Sequence, residues 1–420
     1  MSFQQGLSGL NATSKNLEVI GNNVANSNTF GAKASRAEFA DMYANAMSGA
    51  GANSVGIGVT LAAVAQQFTQ GNITVTDSPM DLAINGGGFF QVTDGQNPAL
   101  YSRNGQFKVD REGYIVNNDG LQLVGYPADA TGVILPGNAS ALRLPTAGIE
   151  PAATSEIELE MNLDARMAVT APTAGPAIDF TDPTTYNSAT SISVYDALGQ
   201  DVALTYYFQK SAASTWNVFV TANGTPINGT AAAPVASATL TFPATGGAPT
   251  APVGPVTIDI PATASANGST TLPITGVQLD MDGARQYGAP FGVTSLSQNG
   301  YAPGQITGVS IEDNGVVMAR YSNGQNQPAG QIELATFRNP QGLQPLGGNV
   351  WQRTSTSGDP IVGVPGEGNL GVLQAGALEE SNVDLTGELV AMMTAQRVYQ
   401  ANAQTIRTQD QVLQTLVQLR

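Results

Sequence analysis

Residues 377–420 read ALEESNVDLTGELVAMMTAQRVYQANAQTIRTQDQVLQTLVQLR, and the fold is decided here. From Asp384 onward the stretch holds no proline, and its one glycine, Gly387, falls in the first turn. Good helix formers fill nearly everything else. Ser381 and Asp384 stand three apart just ahead of the apolar pattern, the spacing of a capping box. Leu385, Leu389, Met392, Tyr399, Ile406, Leu413 and Val417 recur on alternating four- and three-residue steps, with Gln396, Ala403 and Asp410 at the skipped positions. The pattern predicts a helix of about 55 Å carrying a heptad seam with polar interruptions. Burying those seam side chains would contribute roughly 10–20 kcal/mol. Ordering about forty residues costs several-fold more in conformational entropy. Such a helix needs a partner.

The opposite terminus supplies one. Residues 2–26 read SFQQGLSGLNATSKNLEVIGNNVAN, with Phe3, Leu7, Leu10, Leu17 and Val24 on the same rhythm and Ser14 and Gly21 at the skipped steps. Two seamed helices at the chain ends predict pairing, within one chain or between chains, and a coiled assembly surface. The expected interface residues are these five and the seven of the C-terminal seam.

Composition narrows the function classes. A chain of 420 residues suggests two to four domains. Charged residues make up 11%, and 32 acids against 16 bases give a net charge of −16. So few cations leave no electrostatic footprint for nucleic acid or anionic lipid. Hydrophobic content of 42% argues against global disorder. With no cysteine and no histidine, disulfides, thiol chemistry, Ser-His-Asp and Cys-His centres are excluded. No catalytic, cofactor-binding or metal-binding residues are expected. The N-terminus shows one lysine, Lys15, and no continuous apolar core, so no cleaved signal is expected. No apolar run is long enough to span a membrane.

The chain runs helix, β, a different β, β, helix. After the Asn26–Gly31 turn cluster, residues 31–70 read as a linker region, with small residues over 48–53. Short strands separated by turn pairs such as Asn85-Gly86, Asn104-Gly105 and Asp119-Gly120 fill the next stretch. Between about 146 and 284 the composition shifts to Ala, Thr, Ser, Pro and Gly, still with alternation: Ile157, Leu159, Met161 and Leu163 on one face, Glu156, Glu158 and Glu160 on the other. From Phe291 the pattern of short strands and turn pairs resumes. The expectation is a mixed α and β, multidomain chain: long α-helical coiled-coil termini plus two mainly-β domains nested by insertion. The terminal helical domain would comprise 1–30 and 378–420, a discontinuous inner β domain 71–145 and 285–377, and an inserted outer β domain 146–284.

Three local motifs carry bland readings. Gly86-Gly87-Gly88 precedes a strand, where a phosphate cradle needs a helix N-terminus, and is read as a turn. Asp280, Asp282 and Gly283 lack the remaining spacing of a calcium loop. Glu379-Glu380 is read as complementing the dipole of the following helix.

Several segments together resemble the axial family of the bacterial flagellum, its rod and hook proteins, and the hook members above the rod members. They are Gly21-Asn22-Asn23-Val24-Ala25-Asn26-Ser27-Asn28-Thr29; Asp81–Gly86 with Gly88-Phe89-Phe90; Tyr101-Ser102-Arg103-Asn104-Gly105; and Leu378-Glu379-Glu380-Ser381-Asn382-Val383-Asp384-Leu385 with Gln396-Arg397 and Tyr399. Across 146–284 only Val194–Gly199 is family-like. One departure stands out: family members follow the Asn-rich turn with Gly-Phe-Lys, whereas here Phe30 precedes Gly31 and Ala32 follows it. The resemblance implies a non-enzymatic structural subunit, exported by the flagellar type III apparatus and assembled under a hook cap protein. It implies a short curved tubular homopolymer in the extracellular hook that joins rod to filament as a universal joint. Implied neighbours are further copies, the distal rod protein and the hook–filament junction protein. A distal-rod or other axial component, or a secreted β-rich adhesin, are the alternative readings.

Overall fold

The computed structural model describes residues 2–42, 58–129, 131–137, 139–172, 177–264 and 268–418; within the terminal helices the described side chains begin at Gln4 and leave out Leu413 and 416–418. The small-residue stretch 48–53 therefore lies outside the described residues. The chain is mostly β, with one long helix at each end: α1 (Ser2–Ala25) and α2 (Leu385–Gln418). It divides into two compact units. The first comprises 1–146, 308–320 and 326–420; the second, 147–307 and 321–325.

In the second unit, alternation drives the architecture. Glu156–Asp164 sits inside a five-stranded sheet, paired parallel to Ile274–Asp280 and Arg285–Tyr287 and antiparallel to Gly292–Gln298. Its Ile157, Leu159, Met161 and Leu163 are buried, while Glu156 and Glu158 face solvent. A second sheet is built on the hairpin Ser188–Tyr195 and Asp201–Ala212, extended by Thr215–Ala222. The buried Asp196 shapes that hairpin turn, accepting from the Leu198 and Gln200 amides through Oδ1 and from the Leu272 amide through Oδ2. Both sheets contribute to one core, in which Leu204, Tyr206, Phe208 and Trp216 meet the 157–163 face. The unit extends past 284 because Gly292–Gln298 completes its sheet.

The first unit holds a 13-stranded sheet assembly, and period-2 geometry sends adjacent residues of Phe89–Thr93 to opposite sides. Phe90 meets Phe107 edge-to-face at 5.2 Å, within a core that includes Leu82, Ile115, Leu123 and Leu334. Phe89 joins Phe68, Phe337 and Trp351 in a separate aromatic cluster. Two late strands close the unit: Val372–Ala375 pairs with Leu82–Asn85, and Ala377–Glu379 pairs with Ile73–Val75. The Gly86-Gly87-Gly88 turn has φ of +121° at Gly86 and passes against Gly371, where an added Cβ would lie 2.9 Å from that residue's Cα. Within 31–70, expected to be a linker, β1 (Ser35–Met42) and β2 (Gly58–Gln66) form an antiparallel pair. Half-exposed strands without clean alternation carry no sequence signature of this kind.

Glu333 is buried in the first unit and accepts from the Tyr126 hydroxyl at 2.9 Å. Burial raises the Glu333 pKa above its ordinary value, and the Tyr126 hydrogen bond only partly opposes this. Burial, and then the Glu333 bond, push Tyr126 up to about 12.

These cores make two predictions. The chain has two tryptophans, Trp216 in the second unit and Trp351 in the first. In a Trp351→Phe background, Leu204→Ala lowers the stability read from Trp216 by about 2–5 kcal/mol. In a Trp216→Phe background, the Trp351 transition keeps its midpoint; equal shifts of both would show that the units unfold as one. The second prediction concerns pH. The raised folded-state pKa of Glu333 contributes stability below the ordinary carboxylate value of 4.5, lost as pH rises through the folded value. Denaturant titrations should show Glu333→Gln gaining stability relative to the parent between pH 4 and pH 7; a constant difference refutes it.

Candidate assembly surface

The helices meet antiparallel within one chain, and small residues bring them close. An added Cβ at Gly6 would lie 3.1 Å from Ile406 Cγ1, and one at Gly9 would lie 2.9 Å from Asn402 Nδ2. The inward stripe of α1 is Gly6, Gly9, Thr13, Asn16, Ile20 and Asn23, a three-four rhythm one residue behind the expected seam. On α2 the more buried stripe runs through Glu388, Met392, Ala395, Asn402, Ile406 and Gln409. Of the expected interface residues, Leu10, Leu17, Val24, Met392 and Ile406 are half-buried. Leu7, Leu385, Leu389 and Tyr399 are exposed, at 44%, 44%, 45% and 37%. The side chains of Phe3, Leu413 and Val417 lie outside the described residues. On α1 the buried stripe lies one residue behind the large apolar side chains that mark the rhythm, whereas on α2 Met392 and Ile406 belong to both.

The α2 cap differs from the expected capping box. Asp384 caps the helix, its Oδ1 accepting from the Thr386 amide at 3.0 Å, while Ser381 Oγ accepts from Val383 just outside. Asn23 joins three elements. Its Nδ2 donates to Ser35 O and Glu388 Oε1, both at 2.8 Å, and its Oδ1 accepts from the Ser35 amide at 2.8 Å. Asn382 ties α2 to the start of β1 and the end of β2, accepting from Ala34 N and donating to Gln67 O, both at 2.7 Å. Gly58, at φ +142°, lies against Ser8 on α1, where any Cβ would come within 2.1 Å of the hydroxyl.

Below this lies a buried ionic node. Glu379 was expected to serve the helix dipole; instead its side chain is fully buried between two cations. Lys33 Nζ reaches Glu379 Oε1 at 2.5 Å and Thr69 O at 2.8 Å. The Gly71 amide donates to the same Oε1 at 2.8 Å. Arg103 Nη1 stands 3.3 Å from Glu379 Oε2, an oxygen that otherwise has no hydrogen-bond partner among the described residues. Arg103 also donates to Gly86 O at 2.7 Å and lies over the Phe89 ring. Burial lowers the pKa of both cations, with Glu379 pulling each back up. The departure at Phe30-Gly31 fits here: Gly31, at φ +71°, packs on the Arg103–Asn104 backbone and donates to Glu379 O at 2.8 Å. Arg103 and Glu379 both fall in family-like segments, but the sequence gives neither this role, because residues 276 positions apart show nothing of their meeting.

An apolar groove of about 540 Å³ lies beside the helix pair, lined by Gly9, Ala12, Phe39, Val59, Ala395 and Val398 among others. Among the described residues no charged side chain lines it, and its largely apolar walls suit the burial of apolar side chains.

Comparison with known proteins defines the class first. The profile for flagella basal body rod proteins matches residues 3–33, and that for the FlgEFG rod-protein C-terminus matches 374–419. The hook protein FlgE/F/G D1 domain matches 83–152, and the FlaE D2 domain matches 162–301. These are parts of flagellar axial proteins. Flagellar hook proteins FlgE of Salmonella typhimurium and Escherichia coli K12 are each 41% identical to this chain, with both chains covered over 100%. That of Borreliella burgdorferi is 32% identical over 100% of this chain and 99% of its own. The chain belongs to the flagellar hook protein FlgE family. The fold is shared with the crystal structure of Helicobacter pylori flagellar hook protein FlgE2, at a TM-score of 0.53 and 16% identity over 73% of this chain and 99% of that one.

The node yields a prediction of sign and size. Glu379→Gln leaves two buried cations without a counter-charge and should cost the first unit about 3–5 kcal/mol. Lys33→Met keeps the Glu379–Arg103 pair and should cost clearly less. Denaturant unfolding followed at Trp351 checks the order, and a larger loss for Lys33→Met would overturn it.

Proposed function

We propose that this chain is the structural subunit of the flagellar hook: a self-assembling subunit of a short curved tube that transmits torque from rod to filament as a universal joint. The observation carrying the reading is likeness to hook proteins along the whole chain. The helix pair with apolar side chains left in solvent supports self-assembly. In the assembled state the two helices form part of a coiled-coil layer, with the expected interface residues at contacts between copies. The chain leaves the cell through the flagellar type III apparatus. It meets the distal rod protein at one end of the tube, the hook–filament junction protein at the other, and the hook cap protein during growth. The inserted β unit is the outer domain; its low charge suits contacts that slide at little cost as the tube turns.

Localisation and polymerisation test this together. Immunogold labelling with antibody to the second unit should mark a short curved segment between cell surface and filament; label on the envelope alone or spread over the surface refutes the hook. Leu389→Asp should stop purified subunits polymerising, as read by sedimentation. Because Leu389 is 45% exposed, the same change should alter monomer stability by no more than about 0.5 kcal/mol.

A further inference from the structure

Eight asparagines of this chain precede a glycine: Asn85, Asn104, Asn223, Asn228, Asn267, Asn299, Asn314 and Asn323. Such pairs are chemically reactive, because glycine has no side chain to keep its backbone nitrogen away from the neighbouring carboxamide carbon. The fold holds most of them fast. Asn299 Oδ1 accepts from the Ser155 and Glu156 amides, and the Gly300 amide donates to Gln298 Oε1 at 2.6 Å. Asn314 Oδ1 accepts from Val316 N at 3.0 Å, and Gly315 N donates to Glu312 O at 2.9 Å. Asn323 Oδ1 accepts from Gln325 N and Gly324 N donates to Tyr321 O, both at 3.1 Å. Gln70 binds both halves of the Asn85-Gly86 pair. Asn104 and Asn223 commit Oδ1 to the amides of Gln106 and Ala203. Asn267 lies outside the described residues.

Asn228 differs. Among the described residues its one side-chain bond runs from Nδ2 to Ser237 Oγ at 3.1 Å, and Oδ1 accepts none. Val235 N donates to Asn228 O at 3.1 Å, which makes these two a hydrogen-bonded pair. One step along, Gly229 stands opposite Pro234 as a non-hydrogen-bonded pair, its N–H turned away from the partner strand. Gly229 is also exposed. We propose that Asn228 is a site of spontaneous deamidation in the folded chain. The Gly229 nitrogen gives its proton to hydroxide and bonds to Asn228 Cγ; the Cγ–Nδ2 bond breaks and Nδ2 leaves as ammonia. Water then opens the cyclic imide at either carbonyl, to aspartate or isoaspartate. The product adds a negative charge to the second unit. As isoaspartate it also lengthens the main chain next to Ile227, which packs against the core of that unit. Conversion accumulates with time, so its extent dates each chain.

The test is a time course on the full-length chain at mildly alkaline pH, folded and in denaturant. Fragmentation mass spectrometry assigns each conversion to its own asparagine, Asn267 included, and separates aspartate from isoaspartate. In the folded chain Asn228 should convert faster than Asn299, Asn314 and Asn323 by roughly tenfold or more, the factor that two hydrogen bonds of ordinary net strength supply. In denaturant the rates should come together. Equal rates in the folded chain overturn the proposal. A lead for Asn228 that persists undiminished in denaturant also overturns it, because local sequence and not the fold would then set the rate. Ser237→Ala gives a second readout: it removes the remaining side-chain bond and should speed conversion at Asn228 several-fold while leaving Asn323 unchanged. No effect of that substitution counts against side-chain bonding as the control.

Discussion

A single carboxylate holds the two ends of this chain to its body. Glu379 ends the last strand pairing of the first unit and precedes α2 by six residues, and it is buried against Lys33, which follows α1 by eight. Removing three ionised groups from water costs several kcal/mol each, recovered only through close pairing and hydrogen bonds to the remaining polar atoms. Gly71, Thr69, Ile84 and Gly86 supply those bonds from the backbone of the first unit. The arrangement draws on five segments of the chain, at Lys33, Thr69–Gly71, Ile84–Gly86, Arg103 and Glu379. It therefore acts on specificity more than on net stability: the helices leave the β unit from one fixed point.

From that point the pairing of α1 and α2 is a matter of size. Gly6, Gly9, Thr13 and Ala395 let the backbones approach, and Asn23 and Asn402 place polar groups inside the contact. A helix pair closed by small residues buries little apolar area, so it is weak alone. Larger side chains turned outward, Leu385, Leu389, Val390 and Met393 among them, leave most of the available burial to a further partner. The same sequence choice leaves the helix pair with little buried apolar area of its own and a row of large apolar side chains in solvent.

The sequence carried the periodicities and lost the phases. Alternation over Ile157–Leu163 stands in the structure where its pattern places it, because one face of the strand meets a core. The two terminal helices are equally legible in extent. Which face each turns inward is not, since hydrophobic spacing identifies a rhythm, while contact depends on where glycine and alanine fall within it. The hairpin of β1 and β2 is illegible for a related reason: its strands are half-exposed on both faces, and nothing alternates. Lys33, Arg103 and Glu379 lie far apart in a chain with few charges, and no local pattern distinguishes a charge that will be buried from one left in water.

Charge decides how such a chain can expose apolar rows and remain dispersed. A net charge of −16 makes copies repel at a distance. The acids are spread over the strands and turns, whereas the span of α2 from Leu389 to Gln396 carries none. Repulsion therefore acts between whole subunits and is screened within about 10 Å at ordinary ionic strength. Within that distance the uncharged span of α2 carries no like-charge cost, so its exposed apolar side chains stand where repulsion between copies is weakest.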